Sequence, residues 1–169
     1  MTPVYFGNLH DEALALLVES RNYIKQLRER EDAPQGRRNR RSAAAYLDLS
    51  LETMRLTSRL TQVMAWMLAQ RAVMAGEISA DEANSEKFRL SGQNVCMEHD
   101  PAVLATVPEV LRGLLQRSYD LYCRIARLEM QISDRLAEAA TKNGRPAERP
   151  SIRLRLLPST TSDQSPQTA

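Results

Sequence analysis

Aromatic residues make up only 5 % of the 169 positions, and there are just 6 glycines. A chain so poor in strand and turn formers does not build a sheet. The Leu, Ala, Arg and Glu that take their place are helix formers. Two cysteines, Cys96 and Cys123, are too few for a disulfide framework. They suit a reducing compartment, where a buried Cys behaves as a small apolar side chain. Long apolar runs are missing as well. The longest block, Val63 to Leu68, is about a third of the ~20 residues that cross a bilayer. The first residues show no basic stretch followed by an apolar core, so no signal peptide is expected and the location expected is cytoplasmic. Charge of one sign is also lacking. The formal balance is +2, which does not call for nucleic acid as a partner.

The residue sets of common catalytic centres are equally sparse. His10 and His99 are the only histidines. Cys96 and His99 form a C-x-x-H pair, but a structural zinc site takes four ligands and no second pair exists. Glu98 and Asp100 sit in the same turn with poor geometry for joining them. A Cys–His nucleophile pair three residues apart is no better founded, because such partners meet through the fold. There is no Gly-rich phosphate loop, no H-E-x-x-H and no G-x-S-x-G. The expectation is a protein that is not an enzyme and holds neither cofactor nor metal.

What is present is helical periodicity in three stretches, which predicts an all-α three-helix bundle. The first runs from about Leu9 to Arg30, with Leu9, Ala13, Leu16, Ser20, Tyr23 and Leu27 stepping by four and three. Pro34 and Gly36 end it. The second runs from about Ser42, read as its N-cap, to Ala75. It carries Leu49, Thr53, Leu56, Leu60, Val63, Met67 and Met74, and Gly76 stands where a C-terminal cap belongs. The third runs from about Thr106 to Thr141. Thr106, Pro108 and Glu109 read as its capping box and first turn. Leu104, Val107, Leu111, Leu114, Ser118, Leu121, Ile125, Leu128 and Ile132 follow without a break. Between the second and third stretches, Ser79 and Glu82 form a capping box for a short connector helix to about Leu90. Turns are expected at Ser91 to Asn94 and at Asp100-Pro101. The connector is long enough for either packing sense of the helices it joins.

Residues 1–141 are thus expected to form the bundle and 142–169 a disordered tail. The tail holds four of the eight prolines and many Ser, Thr and Gln, and it cannot bury enough apolar surface to fold alone. One island interrupts it: Arg149-Pro150-Ser151-Ile152-Arg153-Leu154-Arg155-Leu156-Leu157, where apolar residues alternate with arginine as in a strand or an extended docking peptide. A second concentration of charge, Arg37 to Arg41, falls in the first interhelical loop. It is either a solvated loop or a grip on phosphates or an acidic protein surface, and a nucleic-acid-associated bundle is the alternative function. No aromatic residue interleaves with it, which counts against nucleic acid.

Helix two offers the most distinctive face. Arg55, Arg59, Gln62 and Trp66 share one side at helical spacing. Met and Trp suit adaptable or hot-spot surfaces, and they also fill ordinary cores. If buried, the indole N–H needs a partner such as Gln62 or Gln70. The apolar stripes on helices two and three are wider than two neighbours can cover, which points to a self-complementary interface and a homodimer.

The stretch Tyr46 to Ser79, with Met54-Arg55-Leu56-Thr57, Arg59-Leu60, Trp66, Gln70-Arg71-Ala72-Val73 and Gly76-Glu77-Ile78, resembles the RcdA family, alphaproteobacterial regulators of CtrA degradation. Length, three helices and a loose tail also match. The resemblance implies a dimeric three-helix bundle acting as an adaptor for the ClpXP protease, which it supplies with substrates that include a master cell-cycle response regulator. It implies further partners, a response-regulator-type priming factor and a cyclic-di-GMP-binding effector, and a location at a cell pole. In the tail, Arg149-Pro150-Ser151-Ile152-Arg153-Leu154 is similar to the Arg-Pro-x-Leu-Arg-Val peptide by which the adaptor SspB docks on ClpX, with Ile152 in place of Leu. The tail island would then contact the protease, and the Arg55, Arg59, Gln62 and Trp66 face would hold other proteins.

Overall fold

The computed structural model describes residues 3–32, 43–98 and 100–142, with side chains placed for 5–30, 47–98 and 100–142. Every regular element among them is helical. Three are long: α1 (Pro3–Asp32), α2 (Ala43–Ala75) and, after four short helical pieces, α6 (Glu109–Lys142).

Helix α1 begins six residues before the stretch that periodicity marked. Pro3 fits a first turn, where its missing N–H removes nothing, and Phe6 extends the buried stripe of Leu9, Ala13, Leu16 and Ser20. Helix α2 ends in a Schellman motif. Gly76 takes φ 73, its N–H donates to the Val73 carbonyl at 3.0 Å, and the Glu77 N–H donates to that of Ala72 at 2.9 Å. The predicted Gly76 cap is therefore the real one.

The connector departs more from expectation. Ser79 does cap α3 (Ala80–Ala83), accepting from the Glu82 N–H at 3.0 Å. That helix stops after one turn, and Ser85 is extended before a 3-10 turn at Glu86–Phe88. Gly92, at φ 68, turns the chain into α4 (Gln93–Cys96). Asp100 then caps α5 (Pro101–Thr106). Thr106 is the last residue of α5 and not the cap of the long helix, whose start lies at Glu109. The cause is local: Val107 precedes Pro108 and is pushed to an extended conformation, ψ 156, which breaks the helix there. Leu104 and Val107 stay buried even so.

Side-chain pairs fix the packing senses. Glu12 pairs with Arg124 and Glu19 with Arg117, the latter at 2.7 Å, so α1 and α6 are antiparallel. Arg59 reaches Leu115, and Trp66 lies near Glu129 and Ile132 around one cavity, so α2 and α6 are parallel. Parallel neighbours need a crossover. The connector supplies it, running back along α2 from Ala83 beside Trp66, through Ser91 at Gln62, to Glu98 at Arg55. The core fills the space between the three long helices. Leu56, Leu60, Val63 and Met67 of α2 meet Leu111, Leu114, Leu115, Leu121, Tyr122 and Ile125 of α6.

Candidate functional site

The helix-two face singled out in the sequence exists as a face, but the chain's own connector occupies it. A crossover laid over a packed groove brings backbone N–H and C=O groups with it, and each requires a partner. Four side chains of α2 and α6 supply them. Arg59, 1 % exposed, donates from Nε to the Cys96 carbonyl at 2.8 Å and from Nη2 to the Glu98 carbonyl at 2.6 Å. Its Nη1 reaches Leu115 at 3.4 Å, and its guanidinium stands 5.3 Å from the Tyr119 ring centre. Burial pulls the guanidinium below its ordinary pKa, and the nearby Glu52 works against that. Gln62 Oε1 accepts from both the N–H and the hydroxyl of Ser91, at 3.1 and 3.0 Å. Tyr122 donates its hydroxyl to the Ser91 carbonyl at 3.3 Å, and burial pushes its phenol well above the usual range. Glu129 Oε1 accepts from the Leu90 N–H at 2.7 Å. Burial raises its carboxyl, against the pull of that N–H and of Arg89.

Arg59 and Trp66 are therefore not surface residues open to a partner. Trp66 is 2 % exposed and lines a cavity of about 20 Å3 with Gln70, Ala83, Asn84, Glu129 and Ile132, room for roughly one water. Arg55 lies at the margin, paired with the buried Glu52 and with Glu98. Gln62 is half-buried and committed to Ser91. Spacing placed all four on one side of the helix correctly. It could not show that residues some thirty to forty positions onward would return to cover them. Glu129 and Tyr122 were missed, although a Glu and a Tyr inside the apolar stripe of α6 were a signal that something polar had to reach them.

The residues Arg149, Pro150, Ile152, Arg153, Leu154, Arg155, Leu156 and Leu157, the basic run Arg37 to Arg41, and His99 lie outside the described residues. Among the described residues no group of three or more His, Cys, Asp and Glu side chains is placed to hold a metal, and no helix is long and apolar enough to cross a membrane.

The exposed surface is uneven. On α6 the only large apolar side chain left exposed is Val110. Connector and neighbours cover the rest of its wide stripe. On α2, in contrast, Leu47, Leu51, Met54 and Leu68 are exposed, and on α1 Leu14, Leu17 and Val18. Glu12 and Glu19 mark the side of α1 turned to α6. At about 100° per residue, Leu14, Leu17 and Val18 lie on the opposite flank, toward α2. The stripe predicted on α2 is itself covered at Leu49, Leu56, Leu60, Val63 and Met67, and the exposed residues form a separate set on the side of α2 away from it, for which α6 has no counterpart.

The family model described as a protein of unknown function, DUF1465, matches residues 1–156. No curated protein matches the chain. The fold is similar to that in the crystal structure of RcdA from Caulobacter crescentus CB15, with 31 % identity and a TM-score of 0.55 over 75 % of this chain and 89 % of that one. A family match spanning nearly the whole chain, joined to a solved relative at that identity, means that this protein belongs to the RcdA family, whose family model carries the description DUF1465.

Proposed function

We propose that the chain is a non-enzymatic adaptor that holds other proteins on a dimeric helical core and presents them to the ClpXP protease through its tail. The observation that carries it is the outer face of α1 and α2. Seven large apolar side chains stand exposed there on a bundle whose own core is already filled. A face of that kind in water is an interaction surface. Membership of the RcdA family supports the finer parts: cargo that includes the cell-cycle response regulator, a response-regulator-type priming factor, a cyclic-di-GMP-binding effector as further partner, and a place at a cell pole.

The division of labour follows from composition. Residues 1–141 hold partners, with Arg55 and Gln62 at the rim of the connector, and residues 142–169 form the tether. The segment from Arg149 to Leu157 docks on ClpX as an extended peptide, raising the local concentration of whatever the core holds. Two tails per homodimer act bivalently.

The test is ClpXP degradation of a bound cargo with the full chain and with residues 148–158 deleted. Faster cargo loss with the full chain, abolished by the deletion while cargo binding persists, is the expected result. Unchanged delivery and ClpX affinity would sink the docking role of the tail. Failure of the full chain to accelerate degradation of any cargo it binds would sink the adaptor function itself.

A further inference from the structure

The core loosens toward one end of the bundle. On α2, Met67 is fully buried, but Met74, one heptad later on the same line, is 55 % exposed. On α6, Leu121 and Ile125 are fully buried, whereas Leu128, Ile132 and Leu136 are half-buried and Ala139 is exposed. The cause is where α1 begins. The Glu12–Arg124 and Glu19–Arg117 pairs set a register that brings Pro3, the first residue of α1, level with Ser133. Helix α6 runs on past that level to Lys142, about 14 Å of further helix. Trp66 shares a cavity with Glu129 and Ile132 just below the same level, and α2 runs on to Ala75. Two helices thus continue where the third stops. The groove that α1 fills lower down stays open, floored by Met74, Ile132, Leu136 and Ala139. Tyr5, 44 % exposed, stands at its lower edge, since it lies one heptad before Glu12 and so on the flank toward α6.

An open apolar groove is covered by apolar side chains from outside the bundle, and the nearest supply is the chain itself. Helix α6 ends at Lys142, at the mouth of the groove. Gly144 and Pro146 follow as stop and turn residues. Ile152 lies ten positions after Lys142, a reach of up to ~33 Å, which exceeds the ~14 Å back along the groove. Ile152, Leu154 and Leu156 alternate with Arg153 and Arg155. Extended, they set three apolar side chains on one face over ~13 Å, the length of the open groove, and both arginines on the other. The exposed charges at this end balance, Arg71, Arg135 and Lys142 against Glu77, Asp134 and Glu138, so apolar burial carries the contact. A tether this short gives an effective concentration in the millimolar range, and a weak contact is enough to win against untethered competitors.

We infer that the segment from Ile152 to Leu157 packs in cis into the open groove, between α2 at Met74 and α6 at Leu136, and thereby masks itself. The masking rests on the reading above that this same segment docks on ClpX. Its one apolar face cannot serve both surfaces at once. The apparent affinity for ClpX is then set by the fraction of chains whose segment is free: docking in about four chains of five weakens it about five-fold.

Paired cysteines in the full chain, in a Cys123→Ser background, test the contact. Met74→Cys with Leu154→Cys should form a disulfide within one chain on mild oxidation. Asp134→Cys with Leu154→Cys is the control for chance encounter. Asp134 is exposed on α6, about 160° around the helix from Ile132 and equally within reach of the tether. This pair should link about ten-fold more slowly, since only the tether brings it together. Met74→Glu sets a charge in the groove at a position already exposed, so the helical signal should stay unchanged while ClpX affinity rises about five-fold. Equal linking at Met74 and Asp134, or links formed only between chains, would overturn the cis contact. Selective linking with a ClpX affinity that Met74→Glu leaves unchanged would overturn the masking. Selective linking in a chain that ClpX does not bind at all would keep the contact and remove the docking role of the tail instead.

Discussion

Arg59 donates to the carbonyls of Cys96 and Glu98 and reaches that of Leu115, so one planar fork ties the connector to the start of α6. Lys has the charge but only a point donor on a flexible stem, and it cannot reproduce the fork. Arg59→Lys should therefore cost about 2 kcal/mol, and Arg59→Ala about 3–4 kcal/mol, since both the carbonyls and the packing are lost; urea unfolding followed by circular dichroism measures both. Glu129 behaves differently. Its carboxyl is raised above 4.5 in the fold, so between that value and its folded pKa the native state binds more protons than the unfolded chain. Stability from this group is full below about pH 4.5 and falls as pH rises through the folded pKa. Glu129→Gln keeps an oxygen for the Leu90 N–H and removes the buried charge. Relative to wild type it should gain stability on going from about pH 4.5 to about pH 8, read as the shift in urea midpoint; a constant difference across that range would contradict the assignment.

At the level of elements, two glycines separate backbone need from absence of need. Gly76 ends α2 at φ 73, and an added Cβ meets nothing within 4 Å. Only the left-handed conformation resists substitution, so Gly76→Ala should cost about 1 kcal/mol. Gly113 lies inside α6, also with nothing within 4 Å of an added Cβ and with no left-handed φ. Gly113→Ala should stabilise by about 0.5–1 kcal/mol through helix propensity. Thermal melts of the two variants should move in opposite directions. The same local chemistry explains which boundaries were readable. Gly76 and the Ser79–Glu82 box act within one turn, and both caps formed. Thr106, Pro108 and Glu109 also made a good local box, yet the extended Val107 before Pro108 gave Thr106 to α5 and left α6 to begin after the proline.

For the whole molecule, the contrast between a covered α6 and an uncovered α2 has a thermodynamic consequence. If the outer face of α1 and α2 is an interface between copies, unfolding is coupled to dissociation and the urea midpoint rises with protein concentration. Replacing Leu47 and Leu68 together by Gln removes exposed apolar atoms that touch little of the core. The variant should keep its low-concentration stability within about 0.5 kcal/mol and lose the concentration dependence. A wild-type midpoint that is flat from low to high micromolar protein would count against any strong self-association.

The sequence by itself determined the class and the three long helices. The stripe from Leu111 to Ile132 and the one from Leu49 to Met67 are set by spacing within a few turns, and nothing distant is needed to read them. It also placed Arg55, Arg59, Gln62 and Trp66 on one side of α2. Only the tertiary structure decided what that side does. Because α2 and α6 run parallel, residues 79–98 must return between their ends, and their backbone groups call for the buried guanidinium of Arg59 and the carboxylate of Glu129. Apolar and polar residues on a helix look alike from spacing whether they face a core, a crossover or a partner. What distinguishes them is which distant segment arrives to cover them, and that is a property of the packed chain.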